Sequence, residues 1–193
     1  MWYACWNSKR FNSFQDLELI ICATKALRRI GIKEIHLYLP YLLGARSDRQ
    51  FIEGGNSYLV DVIAPIINSL EFESVTVVDV HSDVAAACIR NLKTIDNAEL
   101  VYFSLNKIYQ TYAHIARDRQ NFILISPDAG ALKKIYKAAD AIGYKGDVIT
   151  CSKSRDENGN LSKVNVPYSP ENNHKDVVII DDICAVSYTH LTL

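Results

Sequence analysis

Residues 122–143, FILISPDAGALKKIYKAADAIG, contain the pattern that decides the fold. FILIS is a short apolar run rich in isoleucine, which is typical of a strand buried on both faces. After the loop SPDAGA, apolar residues recur at three-and-four spacing until Gly143, which predicts an amphipathic helix that ends at the glycine. The residues expected on its apolar face are Leu132, Ile135, Tyr136, Ala139 and Ile142.

The same strand and helix alternation extends over the rest of the chain. A helix is predicted over residues 14–30, with Ser13 as its N-cap and Gly31 as its stop, and a second helical pattern up to Leu70 is kinked or broken by Pro65. Further helices are predicted at 83–91 and 107–117, and strands at IHLYLP (35–40), VTVVDV (75–80), LVYF (100–103), DVIT (147–150) and VVIID (177–181). Nearly all-apolar strands between helices predict an α/β fold with parallel sheets covered by helices on both faces.

Composition narrows the classes of function. The 193 residues carry 21 Lys+Arg and 22 Asp+Glu, a net charge of -1, so no overall basic field favours nucleic acid or an anionic membrane. There is no apolar run of membrane-spanning length and no signal-peptide pattern, so a cytoplasmic protein is expected. The 5 cysteines are scattered without a C-x-x-C pair, which argues against a zinc site and a disulfide framework.

Polar residues follow five of the predicted strands. Ligands of open α/β sheets bind beyond the carboxyl ends of the strands, where loops lead into helices. The segments at those ends are YLLGARSDRQ, DVHSD, SPD, CSKSRD and Asp181-Asp182. Because these segments carry charged or metal-competent residues and the strands carry almost none, the sequence predicts a site for a polyanion and a metal ion at this edge.

Two of these segments precede the middle of the chain. In ARSDR, Arg46 and Arg49 can grip phosphate while Asp48 orients one guanidinium, although a solvated charge run is equally consistent. In VDVHSD, Asp79 and His81 lie two residues apart at a strand end, so they are expected to point the same way and to share a cation or a water. The simpler interpretation is a capped turn and a surface histidine.

The other three segments also have two interpretations. Asp128 in SPDAGA is either a helix cap or part of an anion or metal site. The polar stretch at 152–163 is either a hairpin loop or a lid whose Lys153 and Arg155 close over phosphates. Asp181 and Asp182 after VVII are suited to ribose hydroxyls or to a metal.

In this order, the motifs LPYLLGARSDRQF, ESVTVVDVHSDV, ILISPDAGA, CSKSRD and VVIIDDIC resemble the ribose-phosphate diphosphokinase (PRPP synthetase) family. The resemblance runs from about Asn12 to Cys184 and implies parts of two tandem domains with phosphoribosyltransferase-like sheets. It implies Mg²⁺-dependent transfer of the diphosphoryl group of ATP to the anomeric hydroxyl of ribose 5-phosphate, with AMP leaving. A homo-oligomer is implied for the full-length form.

The resemblance also assigns roles to single residues. Arg46 and Ser47 match the ATP-contacting pair, within an ATP-binding set that includes Asp48 and Arg49. Lys153 matches the catalytic lysine and Arg155 its loop arginine. The metal set is His81 and Asp128 with Asp79, and the ribose-phosphate set is Asp181 and Asp182 with Arg155. Three positions depart from the family pattern: Ser47 replaces the usual Gln, Ala131 replaces a Gly, and Ser154 interrupts a more basic loop.

The resemblance predicts a fragment. Residues 1–118 match part of the first domain and 119–184 the start of the second, whereas AVSYTHLTL (185–193) replaces the family's 5-phosphate loop and is predicted to be a non-native tail. No counterpart of the family's N-terminal ATP-contacting segment is identified, so the fragment is expected to be inactive. Two alternatives stay open: a non-catalytic regulatory homologue, and a diphosphokinase that acts on another ribose phosphate such as ADP-ribose.

Overall fold

The computed structural model describes residues 2–5, 13–111, 122–155, 161–173 and 175–181. The chain divides into two compact units, Met1–Asp96 and Asn97–Leu193. The predicted boundary after residue 118 lies farther along the chain. The division falls earlier because the helix Asn97–Thr111 packs against the helix Leu132–Ile142 of the second unit.

The first unit is built on a four-stranded parallel sheet with the strand order β1-β2-β3-β4. The strands are β1 (Trp2–Cys5), β2 (Ile35–Leu39), β3 (Ser74–Val78) and β4 (Leu92–Ile95). The helices are α1 (Phe14–Arg29), a π-helix (Tyr58–Ile63), α2 (Ala64–Ser69) and α3 (Val84–Cys88). Apolar side chains of β2 and β3 and of the helices form one core, with Leu39, Ile63 and Val77 completely buried.

The three helix patterns predicted in the first unit are confirmed, the third of them as the short α3. The Ser13 amide donates to Asp16 Oδ2 at 3.1 Å, which is half of a capping box, and α1 stops before Gly31, whose φ is 89°. The second pattern changes from π-helix to α-helix at Ala64, with Pro65 in the first turn of α2. A proline is tolerated there because the first amides of a helix have no intrahelical partner.

The second unit has a three-stranded parallel sheet with β5 in the middle of the order β6-β5-β9, and a separate antiparallel hairpin. The strands are β5 (Phe122–Ser126), β6 (Val148–Thr150), β7 (Ser152–Arg155), β8 (Leu161–Asn165) and β9 (Asp176–Ile179), and the helices are α4 (Asn97–Thr111) and α5 (Leu132–Ile142). All five residues of β5 are buried, as the pattern FILIS predicts. Residues 152–155 and 161–163 lie in this hairpin, as one of the two interpretations predicts, whereas 156–160 lie outside the described residues.

Two predicted features are wrong, and two strands of the structure are not predicted. The expected strand LVYF (100–103) lies inside α4, where Val101 packs against the core while Tyr102 and Phe103 are exposed. The strands β1 and β4 are not predicted, and β4 is short and polar because it lies at the edge of the sheet. Tyr136, expected on the apolar face of α5, is 55% exposed, and Ala138 is buried instead. Across the described residues, no helix combines the length and apolarity needed to span a bilayer.

Candidate functional site

The carboxyl ends of β2 and β3 carry two loops that are joined by a side-chain hydrogen bond. We call residues 45–49, ARSDR, the arginine loop and residues 79–83, DVHSD, the β3 loop. Ser82 Oγ donates to Asp48 Oδ2 at 2.5 Å, and both residues are half-buried. The same hydroxyl accepts a bond from the Val84 amide at 3.3 Å, at the start of α3. The structure therefore brings together two of the strand ends that the sequence places on one edge.

The arginine loop is also held on its other side. The Ser47 carbonyl accepts bonds from the Leu59 amide at 3.0 Å and from Ser57 Oγ at 3.1 Å. Ser57 is buried and caps the π-helix by accepting from the Val60 amide at 3.4 Å. The backbone at Ser47 is therefore fixed to the π-helix, whereas these bonds do not involve the Ser47 side chain.

Gly44 makes the turn into the arginine loop possible. Its φ is 78°, a conformation that side-chain-bearing residues rarely adopt, and the Ser47 amide donates to its carbonyl at 2.8 Å. A Cβ at this position would lie 2.9 Å from Tyr58 Cδ1. The turn thus requires glycine for both its backbone angle and its packing against the π-helix.

Both arginines of this loop are exposed. The guanidinium carbon of Arg49 lies 5.6 Å from the ring centroid of Phe51, within the range of a cation–π contact. Gln50 Nε2 donates to the Gly55 carbonyl at 2.6 Å and closes the segment that follows. Arg46 and Arg49 thus extend two long cationic side chains from a backbone that is anchored at Ser47 and Asp48. This arrangement is suited to an anionic ligand.

The β3 loop does not continue the geometry of its strand. β3 ends at Val78, and Asp79 has a φ of 48°, with its amide bonded to the Ile95 carbonyl at 2.8 Å. The prediction that Asp79 and His81 point the same way assumed an extended chain, and that assumption is wrong from Asp79 onward. Asp79 is half-buried and His81 is exposed. A non-glycine residue in the left-handed region at a strand end is a feature often found near functional sites.

In the second unit, the carboxylate after β5 caps its own helix. Asp128 Oδ1 accepts from the Ala131 amide at 3.2 Å, and Ser126 Oγ donates to the Asp128 carbonyl at 2.6 Å. The cap interpretation of Asp128 is therefore confirmed. Ala131 is buried in the core beside α5, so the methyl group that departs from the family pattern is accommodated there.

Lys153 and Arg155 both belong to β7. Lys153 pairs with Val164 and Arg155 with Leu161, with a register shift between Ser154 and Arg155. A bulge of this kind changes the twist of a hairpin and is common beside active sites. The residues at 156–160, which connect the two strands, lie outside the described ranges.

After β9, the described residues end at Asp181, the first of the two predicted ribose-binding acids. Ile180 is buried and Asp181 is exposed, whereas Asp182 and the predicted non-native tail at 185–193 lie outside the described residues. Within those residues no three histidine, cysteine or acidic side chains form a metal-binding group. The predicted metal ligands are instead divided between the units, with Asp79 and His81 in the first and Asp128 in the second.

The structure adds residues that the sequence analysis does not single out. Ser82 joins the two loops, Ser57 holds the Ser47 carbonyl, and Gly44 shapes the turn. Ser82 lies inside the motif VDVHSD, so the sequence places it near the candidate site. Its partner Asp48, however, is 34 residues away in sequence. Such a pairing follows only from the adjacency of β2 and β3.

Parallel sheets flanked by helices define an α/β protein, and comparison with solved structures gives its fold as phosphoribosyltransferase-like. A solved structure supports this class: phosphoribosylpyrophosphate synthetase from Mycobacterium smegmatis superimposes with a TM-score of 0.65 over 86% of this chain and 49% of its own, at 20% identity. No protein-family model matches the chain.

Curated relatives narrow the class of protein further. A ribose-phosphate pyrophosphokinase of Saccharolobus solfataricus is 31% identical over 180 residues, which is 90% of this chain and 55% of the relative. Ribose-phosphate pyrophosphokinase 2 of Archaeoglobus fulgidus is 28% identical over 92% of this chain and 57% of its own length. These matches confirm the resemblance found in the motifs, and the chain is a divergent relative of ribose-phosphate pyrophosphokinases. It spans about half the length of the curated relatives that it matches.

Proposed function

We propose that the protein containing this chain transfers the diphosphoryl group of ATP to the anomeric hydroxyl of ribose 5-phosphate, which gives PRPP and AMP. The observation that carries the proposal is the pair of joined loops at the ends of β2 and β3, with exposed Arg46 and Arg49 beside the loop that holds Asp79 and His81. The names of the relatives, ribose-phosphate pyrophosphokinases, describe the same reaction.

The arginine loop is the proposed ATP-binding segment. Guanidinium groups bind phosphate oxygens in a planar, two-pronged geometry, and Arg46 and Arg49 are exposed on a backbone that is anchored at Ser47. Asp48 belongs to this segment because its carboxylate lies between the two arginines in sequence and can orient one of them. The short Ser47 side chain offers one hydroxyl for the nucleotide.

Asp79 and His81 of the first unit are proposed as Mg²⁺ ligands, and Asp128 of the second unit is proposed as a Mg²⁺ ligand by itself. Their donor set fits the ion: carboxylate oxygens are the ligands that Mg²⁺ prefers, and an exposed histidine can bind through retained water. A bound Mg²⁺ ion would offset the negative charge of the phosphate oxygens. Asp128 Oδ1 already accepts the Ala131 amide, so Asp128 would act as a cap and as a ligand at once.

Lys153 and Arg155 on β7 are the proposed catalytic cations. The ribose O1 oxygen attacks the β-phosphorus of ATP in line, the O1–Pβ bond forms, and the bond between Pβ and the oxygen bridging to Pα breaks, with that oxygen leaving on AMP. Negative charge spreads over the transferring oxygens during this step, and fixed cations lower its energy most at that moment. Asp181 and Asp182 are proposed to accept bonds from the ribose hydroxyls, with Arg155 also serving the sugar phosphate.

An extended version of the chain tests this function. Residues 1–184 would be joined to the remaining part of the Saccharolobus solfataricus relative, and AMP and PRPP formation followed by phosphorus NMR. Lys153→Ala should lower kcat about 100-fold or more while the Kd for Mg²⁺-ATP changes by less than about threefold, since the lysine acts on the transition state. Lys163→Ala, on the partner strand β8 of the same hairpin, is the matched control and should keep turnover within about twofold.

A loss below about tenfold, roughly 1.4 kcal/mol, for Lys153→Ala would remove the lysine from its assigned role. AMP release with ADP-ribose but not with ribose 5-phosphate would identify ADP-ribose as the acceptor in place of ribose 5-phosphate. Mg²⁺-ATP binding without any turnover would favour the regulatory homologue. For the 193-residue chain alone we expect nucleotide binding without PRPP formation, and measurable PRPP would contradict that expectation.

A further inference from the structure

A side-chain hydrogen bond between Ser82 and Asp48 links the two loops of the candidate site. The Asp48 carboxylate receives the Ser82 hydroxyl at 2.5 Å across 34 positions of sequence, so the bond joins separate loops rather than neighbours within one turn. Ser82 Oγ also receives the Val84 amide at 3.3 Å. The hydroxyl is thus oriented by the start of α3, which points its proton towards Asp48.

We infer that Asp48 and Ser82 are a positioning pair, which sets the distance between the phosphate-binding arginines and the β3 loop. This inference rests on the proposed ATP-binding role of the arginine loop. Asp48 then serves the nucleotide through Arg46 and Arg49 and through the position of its own loop, not by touching the nucleotide. Ser82, which no motif of the resemblance assigns to a role, becomes necessary for full affinity.

Each of the two loops is also anchored on its side away from the other. The arginine loop is fixed at Ser47 by the Leu59 amide and by Ser57 Oγ, so it has little freedom to slide along the π-helix. The β3 loop is fixed at Asp79, whose amide bonds to Ile95 of β4. With each loop held on its outer side, the bond between Asp48 and Ser82 determines the gap between them.

The hydrogen bond between Ser82 and Asp48 also affects the electrostatics of the candidate site. A carboxylate beside a polyphosphate site repels the ligand, and this repulsion is strong where water is partly excluded. A hydrogen bond from Ser82 holds the half-buried Asp48 carboxylate on the side of the β3 loop. Without that hydroxyl, the Asp48 carboxylate can rotate towards the phosphates, and this movement weakens binding.

Nucleotide affinity of the 193-residue chain provides the test, measured as the Kd of Mg²⁺-ATP by calorimetry. Ser82→Ala should weaken binding about tenfold, whereas Ser82→Thr, which keeps the hydroxyl, should stay within about threefold of the wild type. Ser69→Ala is the matched control, because Ser69 Oγ donates to the Ile66 carbonyl on α2 and not to the site. In an Asp48→Ala background, which has no acceptor for the Ser82 hydroxyl, Ser82→Ala should add less than about twofold.

Arginine side-chain NMR supplies a readout that needs no nucleotide. The Nε–Hε resonances of Arg46 and Arg49 should move in Ser82→Ala and stay in place in Ser69→Ala and in Ser82→Thr, with the thermal midpoints of all variants recorded. Resonances that do not respond to Ser82→Ala would overturn the inference even if the wild type bound no ATP. Unchanged ATP affinity in Ser82→Ala, with a binding wild type, would overturn it while leaving the proposed function intact. A wild type that does not bind Mg²⁺-ATP would instead remove the proposed ATP site.

Discussion

The two units of the molecule use the polar residues at their strand ends differently. In the first unit, Ser82 of one loop bonds to Asp48 of another, and Ser57 bonds to the Ser47 carbonyl, so side chains tie separate segments together. In the second unit, Asp128 accepts the Ala131 amide only three residues away and closes the start of its own helix. A similar composition at a strand end therefore builds a junction between loops in one case and a local cap in the other.

Topology explains the difference. In the first unit β2 and β3 are adjacent, so the loops that follow them emerge side by side and can exchange hydrogen bonds. In the second unit β5 lies between β6 and β9, and the chain after it turns at once into a short helical turn and α5. In that short connection the Asp128 carboxylate reaches the Ala131 amide, because the start of a helix offers amides without an intrahelical acceptor.

The largest effect is expected in the core that supports the strand end of the second unit. Ile135 of α5 is completely buried, whereas Tyr136 beside it is 55% exposed. Ile135→Ala should lower the free energy of unfolding by about 2–5 kcal/mol, because it removes buried methylene groups and leaves a cavity. Tyr136→Ala should change it by less than about 0.5 kcal/mol. Urea unfolding followed by circular dichroism measures both, and similar losses would return Tyr136 to the core position that the sequence predicted.

A somewhat smaller effect is expected in the loop junction of the first unit. Gly44→Ala should destabilise the fold by about 2–3 kcal/mol, because it combines an unfavourable positive φ with a clash against Tyr58. Gly54→Ala is the control: its φ is also positive, at 73°, but a Cβ there meets nothing within 4 Å. Thermal unfolding of the two variants separates backbone strain from packing, and equal losses would remove the Tyr58 contact from the explanation.

Asp128 allows the cap to be separated from any role in metal binding. Asp128→Ala should cost about 1 kcal/mol, because the Ala131 amide loses its acceptor, while Asp128→Asn should cost little, because asparagine is an equally good N-cap. The same Asn variant removes the charge that a Mg²⁺ ligand needs. Stability therefore reports on the cap, and Mg²⁺ titration on the ligand role. A large stability loss in the Asn variant would contradict the cap interpretation.

The smallest effect concerns α3, which follows the β3 loop and ends at Cys88. Burial raises the pKa of the Cys88 thiol, with a backbone hydrogen bond opposing the shift, whereas Cys22 on α1 is exposed. At mildly alkaline pH, iodoacetamide should therefore alkylate Cys22 faster than Cys88, as mass spectrometry of digested peptides would show. Equal rates would indicate that α3 opens readily.

The sign of the accompanying pH effect on stability follows from the raised pKa. Folded Cys88 holds its proton more tightly than the unfolded chain does. Its contribution to stability is complete below the unfolded-state pKa and is lost as the pH rises through the folded-state pKa. Cys88→Ser should flatten this alkaline part of the stability profile, and an unchanged profile would assign the loss to other groups.

Much of the fold could be predicted from local patterns. FILIS, the heptad-like spacing of α5 and the capping residues of α1 each specify an element through short-range chemistry, and these predictions agree with the structure. LVYF failed because aromatic and β-branched residues favour a strand locally, whereas packing of Ala98 and Val101 against the second core stabilises a helix. β4 escaped prediction because its polar, four-residue sequence becomes a strand only by pairing with β3.

The candidate site was predictable to the same extent. The residue types at the strand ends, and hence the expectation of an anion site, follow from the sequence, because parallel strands place their carboxyl ends at one edge whatever their order. What only the tertiary structure decided is which of these residues meet. The order of β2 and β3 places Ser82 against Asp48, the left-handed turn at Asp79 redirects the β3 loop, and the start of α5 occupies an oxygen of Asp128. These are long-range or conformational facts, and no short-range propensity encodes them.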